Sequence, residues 1–384
     1  MSCMEGYQGY EVGAIRPPSE AESLLVRVTR NCPWNKCKFC GLYKGTKFSV
    51  RPKEHVLRDI EMVREFIDKI EIAETTGDLE SKRELIKLRN YYGKKGDWAH
   101  YSAVNWMKAG MKSIFLQDAN SLVIKAEDMI EILEYIREKF PETERITSYA
   151  RSHTIARISD EDLKKMAAAG LNRIHIGMES ASDRILKLIE KGVDKKDHIL
   201  AGKKVKKAGI ELSEYFMPGL GGNEYSDENA IETADALSQI DPDFIRIRTL
   251  AVKDGSELSK DYKEGIFTRT NDEKMVEELL LFVKSLKGVT STLKSDHIVN
   301  LLPELEGKLP EGRRKMIGVL EGFLNLGERE RIVFKIGRRT GIMTGVKDLD
   351  NPLKRMRVEE IIEEQGITEE NIDEITNEMI KRFI

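Results

Sequence analysis

Six apolar runs rich in β-branched residues, at 24–30, 112–118, 144–150, 172–178, 210–217 and 243–250, alternate with amphipathic segments along this chain. The segments between them, at 126–140, 159–169, 182–190, 195–208 and 227–238, repeat apolar residues at helical spacing. This alternation predicts an α/β fold with a parallel sheet, because parallel neighbours need a long crossover, usually a helix. Ser159, Ser182 and Ser226, each followed by acidic residues, are predicted helix caps. Gly170, Gly192 and Gly209 are predicted helix stops. One crossover is far longer than the rest. Residues 51–110 contain helix-prone stretches at 52–74 and 79–92, followed by an aromatic segment with Trp98, Tyr101 and Trp106. After Leu250 the alternation fades into helical stretches at 271–287 and 313–325 and a charged tail, 358–384. The expected division is an N-terminal extension (1–23), a strand–helix body (24–255) with a helical insertion (51–110), and a mostly helical C-terminal region (256–384).

Directly after the first strand stands Cys32-Pro33-Trp34-Asn35-Lys36-Cys37-Lys38-Phe39-Cys40. Three thiols in nine residues can wrap a loop around one inorganic centre, and thiolates favour zinc or an iron–sulfur cluster. Only three ligands are in the loop, which leaves one metal atom open to another group. A zinc site completed by His55 or Cys3 is the alternative, as is a non-catalytic iron–sulfur module. The chain has four cysteines in 384 residues, too few and too clustered for a disulfide framework. Its formal charge of −3 gives no clear signal for nucleic acid and none for a membrane, though a local basic patch stays open. With no apolar run of spanning length and no signal-peptide order at the N-terminus, a cytoplasmic location is expected.

In parallel α/β folds ligands gather at the carboxyl ends of strands. Gln117, Asp118, Ala119 and Asn120 follow the second run, Tyr149 to His153 the third, Glu179 and Ser180 the fourth, and Arg246 and Arg248 lie in the sixth. Met217-Pro218-Gly219-Leu220-Gly221-Gly222 follows the fifth, where glycine lets backbone approach a ligand. Each has a plain reading too: a turn at Asp118 and Asn120, capping at Ser180, an ordinary loop at Gly219. Asp296, His297 and Asn300 are candidate substrate groups, and Ser295-Asp296 is equally a helix cap.

The cysteine loop with an aromatic before its last cysteine, the segment 173–187, Lys191-Gly192 and the glycine-rich turn after Phe216 resemble the radical S-adenosylmethionine superfamily. The branch most similar contains the Elongator catalytic subunit, methylthiotransferases, nitrogenase-cofactor maturases and oxygen-independent coproporphyrinogen oxidase. The resemblance covers about 24–250. It implies a partial (β/α)6 TIM-like barrel holding a [4Fe–4S] cluster on Cys32, Cys37 and Cys40. S-adenosylmethionine would bind the open iron and be cleaved reductively to a 5′-deoxyadenosyl radical that abstracts hydrogen from a substrate the sequence does not identify. By position, Gln117, Asp118, Ala119 and Asn120 would meet the methionine amino group, and Glu179 and Ser180 the ribose. Phe39, Met217 and Gly219 would meet adenine, and Arg184 the carboxylate. An acidic flavodoxin- or ferredoxin-like electron donor would meet Arg30, Lys36 and Lys38. The sequence departs from the commonest pattern twice: four residues separate the first two cysteines instead of three, and Gln117-Asp118-Ala119-Asn120 replaces a Gly-Gly-Glu-like stretch. It shows no second cysteine cluster and no cobalamin-binding segment.

Overall fold

The computed structural model describes residues 6–382. These form two compact units: residues 6–35, 42–176 and 203–212, and residues 36–41, 177–202 and 213–382.

The first unit carries β1 (Leu24–Arg27), β2 (Thr29–Arg30), β3 (Ser49–Val50), β4 (Ser113–Gln117) and β5 (Arg145–Ala150). It also carries most of β6 (Leu171–Glu179) and the start of β7 (Glu211–Phe216). Its strands lie in the order β1-β4-β5-β6-β7. Leu24 pairs in parallel with Ile114, and Ile114 with Ile146. Alternate side chains of these strands, Leu24, Val26, Ile114, Leu116, Ile146 and Ile174, are fully buried. Burying each stabilises the fold by about 1.5–3 kcal/mol. β2 and β3 form a separate antiparallel ribbon in which Arg30 faces Ser49, so the chain of the cysteine loop leaves and returns at one base.

The long crossover is a helical hairpin. α1 (Lys53–Thr76) buries Val56, Ile60, Val63, Ile67 and Ile70, steps of three and four residues that keep one face. It ends at Gly77, whose φ of 67° is the left-handed geometry that glycine tolerates. Asp78 then accepts the Ser81 N–H to start α2 (Leu79–Lys108). α2 extends through the aromatic segment that the sequence left without structure, because Gly96, Ala99, Ala103 and Trp106 form a buried helical stripe beyond a single break at Gly93. Also in this unit are α3 (Ala126–Lys139), the short α4 (Ser152–Ile155) and α5 (Asp160–Ala168).

The second unit holds the ends of β6 and β7, then β8 (Phe244–Ile247), β9 (Thr292–Lys294) and β10 (Gly307–Lys308), in the order β6-β7-β8-β9-β10. α6 (Asp183–Leu188), α8 (Ser226–Ile240), α9 (Glu257–Lys263) and α10 (Asp272–Ser285) belong to it, while α7 (Lys195–Lys207) bridges its residues and those of the first. α11 (Arg313–Leu324), α12 (Glu328–Arg339), α13 (Pro352–Glu364) and α14 (Ile372–Lys381) complete it. The C-terminal region is thus not purely helical: β9 adds a parallel strand to β8 and β10 closes the edge antiparallel. Strands of three and two residues are too short to show a period.

Ser159 and Ser182 cap α5 and α6 as expected, accepting the N–H groups of Asp162 and Ile185. Ser226 does not cap α8. Its hydroxyl donates instead to Glu278 at 2.8 Å. No helix begins at Ser295; Asp296 pairs with Arg246.

Candidate functional site

The amino-terminal part of the cysteine loop is organised by Asp118. This fully buried carboxylate, just past β4, accepts both Nε and Nη2 of Arg27 on Oδ2, at 3.0 and 2.7 Å. The same oxygen accepts the backbone N–H of Asn31 at 3.0 Å, and Oδ1 accepts the Tyr43 hydroxyl at 3.1 Å. Asn31 immediately precedes Cys32 and Tyr43 follows Cys40 by three residues, so one side chain ties the departure of the loop to its return. Gly13 is required beside it: a Cβ there would stand 2.3 Å from Asp118 Oδ1. Arg27 and Arg30 both reach Glu11, whose carboxyl is held below its usual range because these guanidiniums and that of Arg51 outweigh the opposing effect of burial.

Gln117 accepts the Gly13 N–H at 2.7 Å and donates to the Ile15 carbonyl at 2.6 Å. Asn120 donates to Thr154 Oγ1 at 2.8 Å and accepts the Arg151 N–H at 3.1 Å. The structure therefore places Gln117, Asp118 and Asn120 at the end of β4, as the sequence predicts, with their side chains hydrogen-bonded within the chain. The Arg151 guanidinium lies 5.0 Å from the centre of the Trp34 ring, inside the cysteine loop. His55, the candidate fourth ligand, is buried in α1 with its ring edge-on to Tyr7 at 5.3 Å. Cys3, the other, lies outside the described residues.

Cys32, Cys37 and Cys40 are partly buried and, among the described residues, form no disulfide. Cys32 Sγ accepts the backbone N–H of Asn35 at 3.4 Å, and Asn35 has a φ of 47°, so the chain reverses to aim an amide at the sulfur. An amide donor to sulfur suits a thiolate metal ligand and is one of the protein's means of tuning a cluster. Among the described residues no three His, Cys, Asp or Glu side chains close on one point as ligands of a single ion. Each thiolate of a cubane, by contrast, binds its own iron. The donor set, three soft thiolates in one loop, fits an iron–sulfur cluster.

In the second unit, the Lys38 N–H donates to Ile189 O and Leu258 N–H donates to Lys38 O, which pin the segment 36–41 between the end of α6 and the start of α9. Phe39 packs on a buried cluster of Ile185, Ile189, Met217, Leu220 and Leu258. The Lys191 ammonium sits 5.5 Å from the Phe39 ring centre and 3.4 Å from Glu179 Oε1. Gly177 makes room for that pair, since a Cβ there would be 2.5 Å from Glu179 Oε1. Glu179 has a φ of 66°, which turns the chain out of β6, and its carbonyl accepts the Met217 N–H at 2.8 Å. Ser180 is buried and accepts the Ser182 N–H at 3.1 Å. Phe39, Glu179, Ser180, Met217 and Gly219, predicted from separate stretches of sequence, all lie in this unit.

Arg184 is more open. Its guanidinium is 5.0 Å from the Tyr225 ring centre, and with Lys38, Lys187, Glu190, Asp261 and Phe267 it lines a cavity of about 340 Å³. Of the cations proposed for an electron donor, Arg30 pairs with Glu11 at 2.6 Å and Lys38 with Asp261 at 2.8 Å. Arg246 reaches Ser213 at 3.2 Å, and Asn300 holds Thr249 N–H and Ile247 O at 2.9 and 2.8 Å. His297 is depressed to about 4 by burial, with Arg248 adding to the effect.

Sequence reasoning missed Glu278 of α10. Buried completely, it accepts Gly219 N–H at 3.1 Å, the Ser226 hydroxyl at 2.8 Å and the Asn229 amide at 2.7 Å. Asn229 also donates to Met217 O at 3.1 Å, so the Met217–Gly219 turn hangs on this pair. Burial pushes the Glu278 carboxyl up to about 7 despite those donors. The signal was faint: one Glu on the apolar side of a helix otherwise built from Met275, Val276, Leu279 and Phe282.

A strand–helix fold with a three-thiolate loop after its first strand defines an iron–sulfur protein of the TIM-like class. Residues 26–234 match the Radical SAM superfamily, and the chain belongs to it. Members of this superfamily are enzymes that use a [4Fe–4S] cluster and S-adenosylmethionine. The tRNA uridine(34) acetyltransferase of Methanocaldococcus jannaschii is 23% identical over 270 residues, 66% of this chain and 47% of that protein. That of Methanocaldococcus infernus is 28% identical over 129 residues, 33% of this chain and 24% of that protein. The chain thus spans less than half the length of either. An N-terminally truncated Elp3 structure from M. infernus superposes with a TM-score of 0.41 at 18% identity, covering 53% of this chain and 54% of the other. Among the described residues no helix is long and apolar enough to cross a membrane.

Proposed function

We propose that Cys32, Cys37 and Cys40 hold the [4Fe–4S] cluster and that the enzyme abstracts a hydrogen atom from its substrate. The observation that carries this reading is the Asn35 N–H aimed at Cys32 Sγ within a loop of three partly buried cysteines. When bound, the reduced cluster supplies the electron that cleaves S-adenosylmethionine. The chain's own residues do the positioning. Glu179 and Ser180 meet the ribose, Phe39, Met217 and Gly219 face adenine, and Arg184 takes the carboxylate. The 117–120 segment meets the amino-group end with its backbone, Ala119 included, since the side chains of Gln117, Asp118 and Asn120 are engaged. Lys191, held between Glu179 and the Phe39 ring, keeps the adenine-facing and ribose-facing groups in register. Lys36, exposed in the loop, meets an acidic flavodoxin- or ferredoxin-like donor together with Arg30 and Lys38.

For the substrate class we propose RNA, supported by the names of the two archaeal relatives. Anaerobic reconstitution tests the core of the reading. The parent and Cys3→Ala should bind about four irons per chain and release 5′-deoxyadenosine with S-adenosylmethionine and dithionite; Cys37→Ala should do neither. One zinc per chain, with no visible iron–sulfur absorption and no 5′-deoxyadenosine, would overturn it.

A further inference from the structure

We propose that the outer face of α2 is a docking surface for single-stranded RNA. Beyond Gly93 the helix has two faces of opposed character. Gly96, Ala99, Ala103 and Trp106 are buried, whereas Lys94, Trp98, Tyr101, Asn105 and Lys108 are exposed. Their spacing alternates four and three residues, which keeps side chains on one helix face. Trp98 and Tyr101, one turn apart, are 52% and 61% exposed, and Tyr91 before the break is 79% exposed. Large aromatics this open contribute little to the core, so their presence on one face calls for a ligand. Beyond Gly93 the helix carries Lys94, Lys95 and Lys108 against Asp97 alone, and Asp97 is paired with Arg89 at 2.8 Å, so this face is net basic in a chain whose formal charge is −3.

Aromatic rings that stack on bases, set between lysines that meet phosphates, are the two parts of a single-strand platform. A membrane surface demands an unbroken apolar face, and here Lys94, Asn105 and Lys108 interrupt it. A helix–helix seam with a second copy demands apolar residues at the same positions. RNA in place of DNA follows from the substrate class proposed above, since stacking on aromatic rings does not itself distinguish the two.

The inference rests on the RNA substrate proposed above, but binding is read without turnover. Fluorescence anisotropy of a labelled single-stranded oligoribonucleotide with the full chain should show binding that weakens steeply with salt. Trp98→Ala and Tyr101→Ala should each weaken it about tenfold. Lys94→Glu should weaken it and flatten the salt dependence. All three positions are exposed, so circular dichroism and cluster content should match the parent. If the variants bind as the parent does, the surface is wrong while an RNA substrate stands. If no RNA binds although S-adenosylmethionine is cleaved, the RNA assignment falls and the radical reading survives. Binding to phosphatidylglycerol vesicles in place of RNA, or a dimer abolished by these substitutions, would each overturn the proposal.

Discussion

Asp118 shows how a residue's place can be read from sequence while its partners cannot. The end of the second apolar run marks it as a strand-end polar group. Its contacts with Arg27, Asn31 and Tyr43 lie 75–91 residues away in the chain, and no local pattern announces them. Replacing it by Asn should cost about 3 kcal/mol, since Arg27 would lose its main partner in a largely buried setting. The same variant should lose iron faster than Gln117→Ala, which chelator-competition kinetics would reveal; equal loss would remove the loop-tying role. Glu278 makes the complementary case. With its ordinary value at 4.5 and its folded value raised to about 7, the unfolded chain ionises first as the pH rises. Its neutral form is therefore tolerated below about pH 4.5, and stability is lost as pH climbs towards 7. Glu278→Gln should gain on the parent across that window, by up to about 3 kcal/mol at pH 8. Denaturant melts at several pH values would measure the gain; a pH-independent difference would contradict it. The three cysteines, by contrast, were legible because their chemistry depends on spacing alone.

At the scale of elements, helices with a buried stripe were readable and short strands were not. α1, α3 and α5 follow their apolar period closely, whereas β9 and β10 exist only because neighbouring strands offer hydrogen bonds. Stops are equally local: Gly170 after α5 has a φ of 113°. A Cβ there would lie 2.3 Å from Arg137 Nε, and Arg137 also holds the Gly170 carbonyl and the Asn172 side chain. Gly170→Ala should therefore destabilise by more than the ~1–3 kcal/mol of backbone strain. Gly209→Ala, with a φ of 77° and open space around it, should cost the strain alone. Thermal melts of the two variants would order them; the reverse order would show that Arg137 yields freely. Ser226 shows the limit of cap reading, because α8 starts one residue earlier than expected: Tyr225 stands at the cap position and Ser226 is the first helical residue, its hydroxyl donating to a buried carboxylate in α10.

Across the whole molecule, the apolar cores of the two units consist of aliphatic and aromatic side chains and owe nothing to the thiols. Oxidative removal of the cluster should thus raise amide exchange in residues 31–42 and leave β1, β4 and β5 protected, as hydrogen-exchange mass spectrometry would show. Loss of protection throughout β4 and β5 would mean that the cluster supports the fold itself. What the sequence alone determined was the alternation of strands and helices, the length of the crossover and the three-thiolate loop, all set by periodicity or spacing over a few residues. The tertiary structure decided which polar side chains serve the chain itself, as Asp118, Gln117 and Glu278 do. It also decided that the charged, aromatic stretch after residue 79 is helical on both sides of a break at Gly93, with Trp98 and Tyr101 turned outward. The reason is physical: a period needs only neighbours in sequence, whereas a buried charge, a short strand and an exposed face are defined by what folding brings beside them.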